Sequence, residues 1–419
     1  MIDIKYIRAN PELIRTAIKN KNEKADLDAL LVADEERRSL QYKFDNLKAQ
    51  QNAVSQVIAQ KKRAKESATD EINEMGAVAA EIKTIQTDLS KANAFLDALL
   101  LAIPNIPEDD VPIGRDESLN EVIRHEGVLP QYDFELKDHL DIATANSLLD
   151  LPRGAKISGS GFPIYTGFGA KLERALINFM LEYHIQKHGY TELMVPLAVN
   201  RKTMTGTGQL PKLEEDMYHI NDDDLFLIPT AEVPVTNFYA DEVLPYKDLP
   251  QKFVAYTPCF RREAGSYGKD TRGLQRLHQF NKVEMVRFVE PEDSAAALNE
   301  MLQDAEDILK AFGLHYRVLS LCTGDLSFAS QRTYDLEVWA PGSQKYLEVS
   351  SVSNFGEFQA RRANIRYKDA EGKLRHLHTL NGSGVATPRL LIALLETYQQ
   401  ADGSLNLPEV LKPWLELKI

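Results

Sequence analysis

The stretch from Pro258 to Glu284 carries the densest chemistry in the chain. It holds Phe260-Arg261-Arg262-Glu263, a loop rich in Gly, Lys and Arg, then Arg276, Leu277, Phe280 and Glu284. Apolar runs on either side predict two strands, hence a hairpin with a mobile basic tip. Arginines at 261 and 276 on adjacent strands can grip a phosphate from two sides, because guanidinium matches phosphate as a planar fork. A surface hairpin with ordinary ion pairs accounts for this stretch equally well when it is read alone. A second cluster is Glu348-Val349-Ser350-Ser351. Period-two alternation puts Glu348 and Ser350 on one face and turns Ser351 away, unless the strand bulges or ends there. A carboxylate beside hydroxyls suits a hard cation such as Mg²⁺ bridging phosphates, although a strand Glu is more often simply exposed. The third cluster runs from Asn381-Gly382-Ser383-Gly384 to Pro388-Arg389 and opens an apolar helix, Leu390 to Tyr398. Pro is preorganised for a helix start, and glycines before it let a backbone approach a flat ligand. Arg389 in the first turn opposes the helix dipole, a local cost that favours a functional role. Neither a GxxxxGK[ST] loop nor a Rossmann glycine fingerprint is present, so a nucleotide must be held by other means.

Several elements must position these clusters. Leu172, Ala175, Leu176, Phe179, Met180 and Tyr183 form one helical stripe over 170–188. Gly189 ends that helix, and a strand is expected from Thr191 to Pro196. Short strands are expected at Phe226–Pro229, Phe253–Tyr256, Asn281–Val289, Tyr334–Trp339 and Tyr346–Ser350. Many strands joined by loops and hairpins predict an α+β domain with a mainly antiparallel sheet and flanking helices. The first hundred residues differ. Residues 26–101 contain no Pro and one Gly, Gly76. Leu40, Phe44, Leu47, Gln51, Val54 and Ile58 form one heptad seam. Met75, Val78, Ile82, Ile85, Leu89, Ala92, Leu96 and Leu99 form another. The simplest geometry is an antiparallel helical hairpin, reaching on the order of 50 Å. A polar run containing Lys61, Lys62, Arg63 and Lys65 separates the seams, with a helix N-cap at Thr69 or Asp70. A dimerising or spacer coiled coil is the commoner meaning of such seams. Four cations near the tip also suit an arm that reaches for a phosphate backbone. Pro-containing text at 103–115 predicts a linker between a domain at 1–102 and a second at 116–419.

Bulk properties bound the rest. The chain has 419 residues, 43% hydrophobic and 26% charged, with a formal net charge of −13. That excludes a wholly basic nucleic-acid binder but leaves room for a local basic patch. Two cysteines, Cys259 and Cys322, make no disulfide framework and no zinc signature, and fit a reducing, cytoplasmic location. No signal peptide and no membrane span are expected.

Taken together, the three clusters resemble the three motifs of class II aminoacyl-tRNA synthetases, with the helix to His188 and the strand to Pro196 resembling motif 1. The text between them is similar to bacterial-type seryl-tRNA synthetases, notably Thr205-Gly206-Thr207-Gly208-Gln209-Leu210-Pro211-Lys212, Pro229-Thr230-Ala231-Glu232-Val233-Pro234 and Thr379 to Gly384. The resemblance covers nearly the whole chain. It implies an antiparallel-sheet class II catalytic domain preceded by a long coiled-coil arm, with ATP and Mg²⁺ as cofactors and no zinc. It implies catalytic roles for Arg261, Arg276 and Arg389. ATP would be held by these three with Arg262, Glu263, Leu277, Phe280, Glu348, Val349, Ser350 and Ser351, adenine lying between Phe280 and Arg389. Mg²⁺ would be held by Glu348 and Ser351. Serine would be bound by Thr230, Ala231, Glu232, Arg261, Glu284, Asn381 and Ser383. Lys61, Lys62, Arg63 and Lys65 would contact tRNA(Ser); whether tRNA(Sec) is a second substrate is left open. Motif 1 implies a homodimer. Val352, Leu347, Asn281 and Pro388 depart from residues common in the family, which bears on fine geometry near the metal and motif 3. Two rival readings are a synthetase-like amino acid:carrier-protein ligase and a non-catalytic synthetase-like RNA-binding protein. The arm and the intact motif residues speak against both.

Overall fold

The computed structural model describes residues 1–263 and 272–416. The basic tip expected for the hairpin, at 264–271, lies outside the described residues. The described chain divides into two compact units, one of residues 1–19 and 23–104, the other of 20–22 and 105 onward.

The first unit is dominated by two helices, α1 (Leu27–Ala64) and α2 (Thr69–Leu101). Asp26 caps α1, accepting from the Ala29 amide at 2.9 Å. The two helices pack along the expected seams. Val78, Ile82, Ile85 and Leu96 of α2 are buried, and Leu40, Phe44, Leu47, Gln51, Val54 and Ile58 of α1 are half-buried among exposed neighbours. Asp34, fully buried near the base, is held by Arg8, Arg37 and Arg38 at 2.9–3.1 Å. Two expectations need correction. Lys61, Lys62 and Arg63 lie in the last turn of α1 and not in a loop, a position where cations complement the helix dipole. The N-cap of α2 is Ala68, which has no side-chain cap. The turn is closed by Lys65, in a left-handed conformation, whose amide donates back to the Lys61 and Lys62 carbonyls.

The second unit is built on an eight-stranded sheet. Its strands are β1 (Glu121–Glu126), β2 (Thr191–Glu192), β3 (Gln251–Phe260), β4 (Gln279–Val289), β5 (Tyr316–Ser320), β6 (Arg332–Ala340), β7 (Lys345–Asn354) and β8 (His378–Ala386). The spatial order is β1-β5-β6-β7-β8-β4-β3-β2. All neighbours are antiparallel except β2 and β3. Three helices, α3 (Gly167–His188), α4 (Ser294–Ala311) and α5 (Thr387–Thr397), pack on this sheet. They bury Leu172, Leu176, Met180, Met301, Leu391 and Leu394 with Val283, Met285, Leu336, Val338, Val349, Val352 and Leu380 of the strands. Because strand side chains alternate, Lys282, Glu284, Asp335, Glu348, Asn381 and Ser383 fall on the opposite face.

The motif 1 strand is shorter than expected. Leu193 still donates to Val254 O at 2.9 Å. Met194 then stands 96% exposed, and Pro196 has no N–H to continue the ladder. Strand β8 was not anticipated, because its glycines read as ligand approach. They face the helix layer instead. A Cβ on Gly384 would meet His184 Nε2 at 2.4 Å, and one on Gly382 would meet Val352 Cγ2 at 3.0 Å. The departures find structural places. Val352 and Leu347 are core residues, and Pro388 lies in the first turn of α5. Asn281 donates to buried Glu173 at 2.8 Å and accepts from the Tyr256 hydroxyl at 3.0 Å. An aspartate there would set a second carboxylate against Glu173.

Candidate functional site

A cavity of about 550 Å³ opens on the face of the sheet opposite helices α3, α4 and α5. One end is walled by Arg261, Glu263, Arg276, Leu277, Phe280 and Arg389, the middle by Glu348, Val349 and Ser351, the other end by Thr230, Glu232, Glu284, Asn381 and Ser383. Three residues expected at the site do not line it. Arg262 faces a separate, smaller hollow with Tyr218 and His219, donating to Glu215 O at 3.2 Å. Ala231 is buried in the apolar cluster behind. Ser350 turns its hydroxyl to the Ser383 carbonyl at 2.6 Å.

The displacement of Ser350 has a local cause. The pairing of β6 with β7 jumps from Leu336↔Ser350 to Glu337↔Glu348, so a bulge inserts one residue at Val349. The parity of the strand flips beyond it. Glu348 and Ser351, not Glu348 and Ser350, therefore share the cavity face.

At the basic end, Arg261 donates from Nε to Pro229 O at 3.3 Å, and its guanidinium lies 5.1 Å from the Phe280 ring centre. Arg276 pairs with Glu263 at 2.9 Å. Arg389 donates to Gln275 O at 3.2 Å and to Glu348 O at 2.9 Å, and meets the Glu348 carboxylate at 3.3 Å. Glu348 thus offsets the charge that Arg389 sets against the start of α5. The segment carrying Gln275 is supported from behind, where the Leu274 amide donates to His139 Nε2 at 3.4 Å. Three arginines with an aromatic face make a site for a planar base joined to phosphates.

Between the ends, Asp335 lies opposite Ser351 in the ladder. Burial, then Glu348, pushes its carboxyl well above the usual range, and its Oδ1 is buried without a hydrogen-bond partner. Among the described residues no group of three or more His, Cys, Asp or Glu is arranged to hold a metal alone. A cation shared with substrate phosphates needs fewer protein oxygens, and Asp335, Glu348 and Ser351 supply that kind of donor set. Sequence reasoning missed Asp335; its place opposite Ser351 depends on the bulge.

At the acidic end, a short helix α6 (Glu232–Thr236) follows the strand Leu225–Leu227. Thr230 Oγ1 accepts from the Glu232 amide at 3.1 Å. Gln359 donates to Glu232 Oε1 at 2.6 Å and accepts from Thr379 Oγ1 at 2.7 Å. Burial, then Glu284, pushes the Glu232 carboxyl up to about 7. Glu284 meets Lys282 Nζ at 2.5 Å. Lys282 was also missed, although its position two residues before Glu284 on a strand was a signal that both share a face. A buried acidic pair beside hydroxyls and an amide suits a small molecule that presents an ammonium and further donors.

Residues 1–107 match the family model of the seryl-tRNA synthetase N-terminal domain, and residues 213–398 match the class II tRNA synthetase core domain (G, H, P, S and T). The chain is 51% identical over 416 residues to the serine–tRNA ligase of Desulforapulum autotrophicum, covering 99% of this chain and 97% of that protein. It is also 51% identical to that of Caldicellulosiruptor bescii, covering 99% of each. The structure is similar to the Pyrococcus horikoshii seryl-tRNA synthetase complexed with ATP, with a TM-score of 0.93 and 34% identity, covering 100% of this chain and 99% of that one. Matched end to end by such relatives, and carrying the two family domains in order, the chain belongs to the seryl-tRNA synthetase family of class II aminoacyl-tRNA synthetases.

Proposed function

We infer that this chain activates L-serine with ATP and transfers it to the 3′ end of tRNA(Ser). The observation that carries this is one cavity joining an arginine–aromatic end to a buried Glu232–Glu284 end, in a chain matched along its length by serine–tRNA ligases. In this reading ATP lies at the basic end. Adenine packs between Phe280 and Arg389, and Arg261 and Arg276 take the phosphates. Arg261 also takes the serine carboxylate, because it stands where the two substrates meet. The ammonium and hydroxyl of serine are received by Thr230, Glu232, Glu284 and Ser383.

The serine carboxylate attacks the α-phosphorus in line and pyrophosphate leaves. Arg261 stabilises the charge on the α-phosphate, and Arg276 that on the leaving group. Asp335, Glu348 and Ser351 are the residues that would hold Mg²⁺, which when bound neutralises phosphate charge. The 3′-terminal hydroxyl of the tRNA then attacks the carbonyl carbon of the seryl-adenylate, giving up its proton as the acyl–phosphate bond breaks and AMP leaves, with no protein nucleophile.

Lys62, Arg63 and Lys65 at the end of α1 are exposed and are assigned to the tRNA backbone; Lys61 is paired with Glu71. A homodimer through the motif 1 region is part of this reading, and Phe168 and Met194 stand exposed there. No helix among the described residues is long and apolar enough to cross a membrane. Two buried free cysteines, Cys259 and Cys322, suit a cytoplasmic setting. Serine-dependent ATP–pyrophosphate exchange tests the reading. The unsubstituted protein exchanges with serine, and Arg261→Ala lowers the rate by at least ~100-fold. No exchange by folded protein supplied with Mg²⁺ would overturn the assignment. Aminoacylation of tRNA(Ser) and tRNA(Sec) transcripts then reads which RNA is charged.

A further inference from the structure

Lys282 is a buried lysine on the wall of the cavity. It is 7% exposed and its partner Glu284 is 2% exposed. Both project from β4 into the cavity, and Nζ stands 2.5 Å from Glu284 Oε2. A lysine that merely anchored the sheet would be sealed beneath other side chains. We propose that Lys282 is a specificity-determining residue: a built-in counter-cation for Glu284, leaving that carboxylate to accept from a substrate hydroxyl while Glu232 takes the substrate ammonium. The proposal rests on the serine reading of this end of the cavity.

Charge counting supports it. Lys282 and Glu284 come from β4, Glu232 from α6, Arg261 and Cys259 from β3 and its end, and Asn381 and Ser383 from β8 are uncharged. Asp335 and Glu348 face the cavity from β6 and β7. Arg261 is committed to carboxylate and phosphate. At the acidic end, away from Asp335, Glu348 and the arginines, that leaves Glu232 and Glu284 against Lys282, a deficit of one positive charge that a substrate ammonium fills. With Lys282 on one oxygen, Glu284 can only accept, so a substrate without a hydroxyl leaves it short of a donor. Lys282 also lowers the titration of Glu232, against burial and Glu284, which raise it to about 7.

The test is the pH dependence of KM for serine in pyrophosphate exchange, from pH 6 to 9. In the unsubstituted protein KM falls as pH rises through about 7. Lys282→Met is expected to raise KM for serine at pH 7 on the order of 10- to 100-fold. It moves the fall in KM to higher pH by about one unit and narrows the preference for serine over alanine, with KM for ATP little changed. Lys282→Arg keeps the unsubstituted pH position, and Lys282→Gln serves as a second neutral variant should the methionine variant not fold. A pH profile unmoved in the neutral variants, or equal in the arginine and neutral variants, would overturn the role of Lys282 alone. Absence of serine-dependent exchange in the unsubstituted protein would instead overturn the underlying reading.

Discussion

Glu232 is buried and still faces the cavity. Burial and Glu284 raise its carboxyl to about 7, against hydrogen bonding from Gln359 and the charge of Lys282. A protonated Glu232 offers no charge to a substrate ammonium. Binding of the ammonium selects the ionised form, so affinity is lost as pH falls through about 7 and gained above it. Glu232→Gln keeps the shape and removes the titration. The expected result is a KM for serine raised about tenfold or more at pH 8 and flat between pH 6 and 8. A slope that survives the substitution would put the titrating group elsewhere. Arg389 works by its fork. It reaches Gln275 O, Glu348 O and the Glu348 carboxylate at once, which one lysine ammonium cannot reproduce. Arg389→Lys is therefore expected to raise KM for ATP about tenfold with KM for serine nearly unchanged, as measured by exchange at varied ATP.

At the scale of elements, β8 shows why the sheet needs its glycines. His184 of α3 donates from Nε2 to Gly384 O at 2.8 Å, and its Nδ1 faces His188 Nδ1 at 2.9 Å. Burial holds the His184 ring far below its ordinary pKa, near 3, so it stays neutral. Helix and strand are thus closer at Gly384 than any side chain permits. Gly384→Ala is expected to cost about 1–3 kcal/mol, read as a lower Tm, and to raise KM for serine because Ser383 is the preceding residue. An unchanged Tm would mean the helix can move aside. The same strand marks a limit of legibility. Period-two patterns such as Tyr334 to Trp339 and the stripe from Leu172 to Tyr183 were readable because burial imposes them on side-chain type. Asn381 to Ala386 has no such pattern, since its inner positions must be glycine. The bulge at Val349 was equally silent, and it alone decides that Ser351 and not Ser350 faces the cavity. Asp335 went unnoticed for that reason, whereas Arg261, Glu263, Glu284 and Arg389 stood out through charge in apolar or glycine-rich text. Helix α4 has an apolar stripe at Ala297, Met301, Ala305 and Ile308, a helical period that is legible in the sequence.

At the scale of the whole molecule, charge has to be read locally. The chain carries a net charge of −13, yet Lys62, Arg63 and Lys65 stand exposed where α1 ends. Lys61 is occupied by Glu71. The seams of α1 and α2 consume their apolar residues in packing on each other, so the exposed cations are not needed to hold the pair together. Replacing Lys62, Arg63 and Lys65 together by Ala in the full chain should therefore leave the fold and serine-dependent exchange intact. Phosphate contacts release counterions, and each one lost flattens the dependence of log affinity on log salt by nearly one unit. The triple variant is accordingly expected to bind tRNA(Ser) more weakly by about tenfold or more at low salt, with a salt slope shallower by about 2–3. Its kcat/KM for aminoacylation falls in parallel while exchange holds. If exchange falls equally, these residues stabilise the fold. If the salt slope is unchanged, the RNA is met elsewhere on the chain and the hairpin is a spacer, as its heptads alone would suggest.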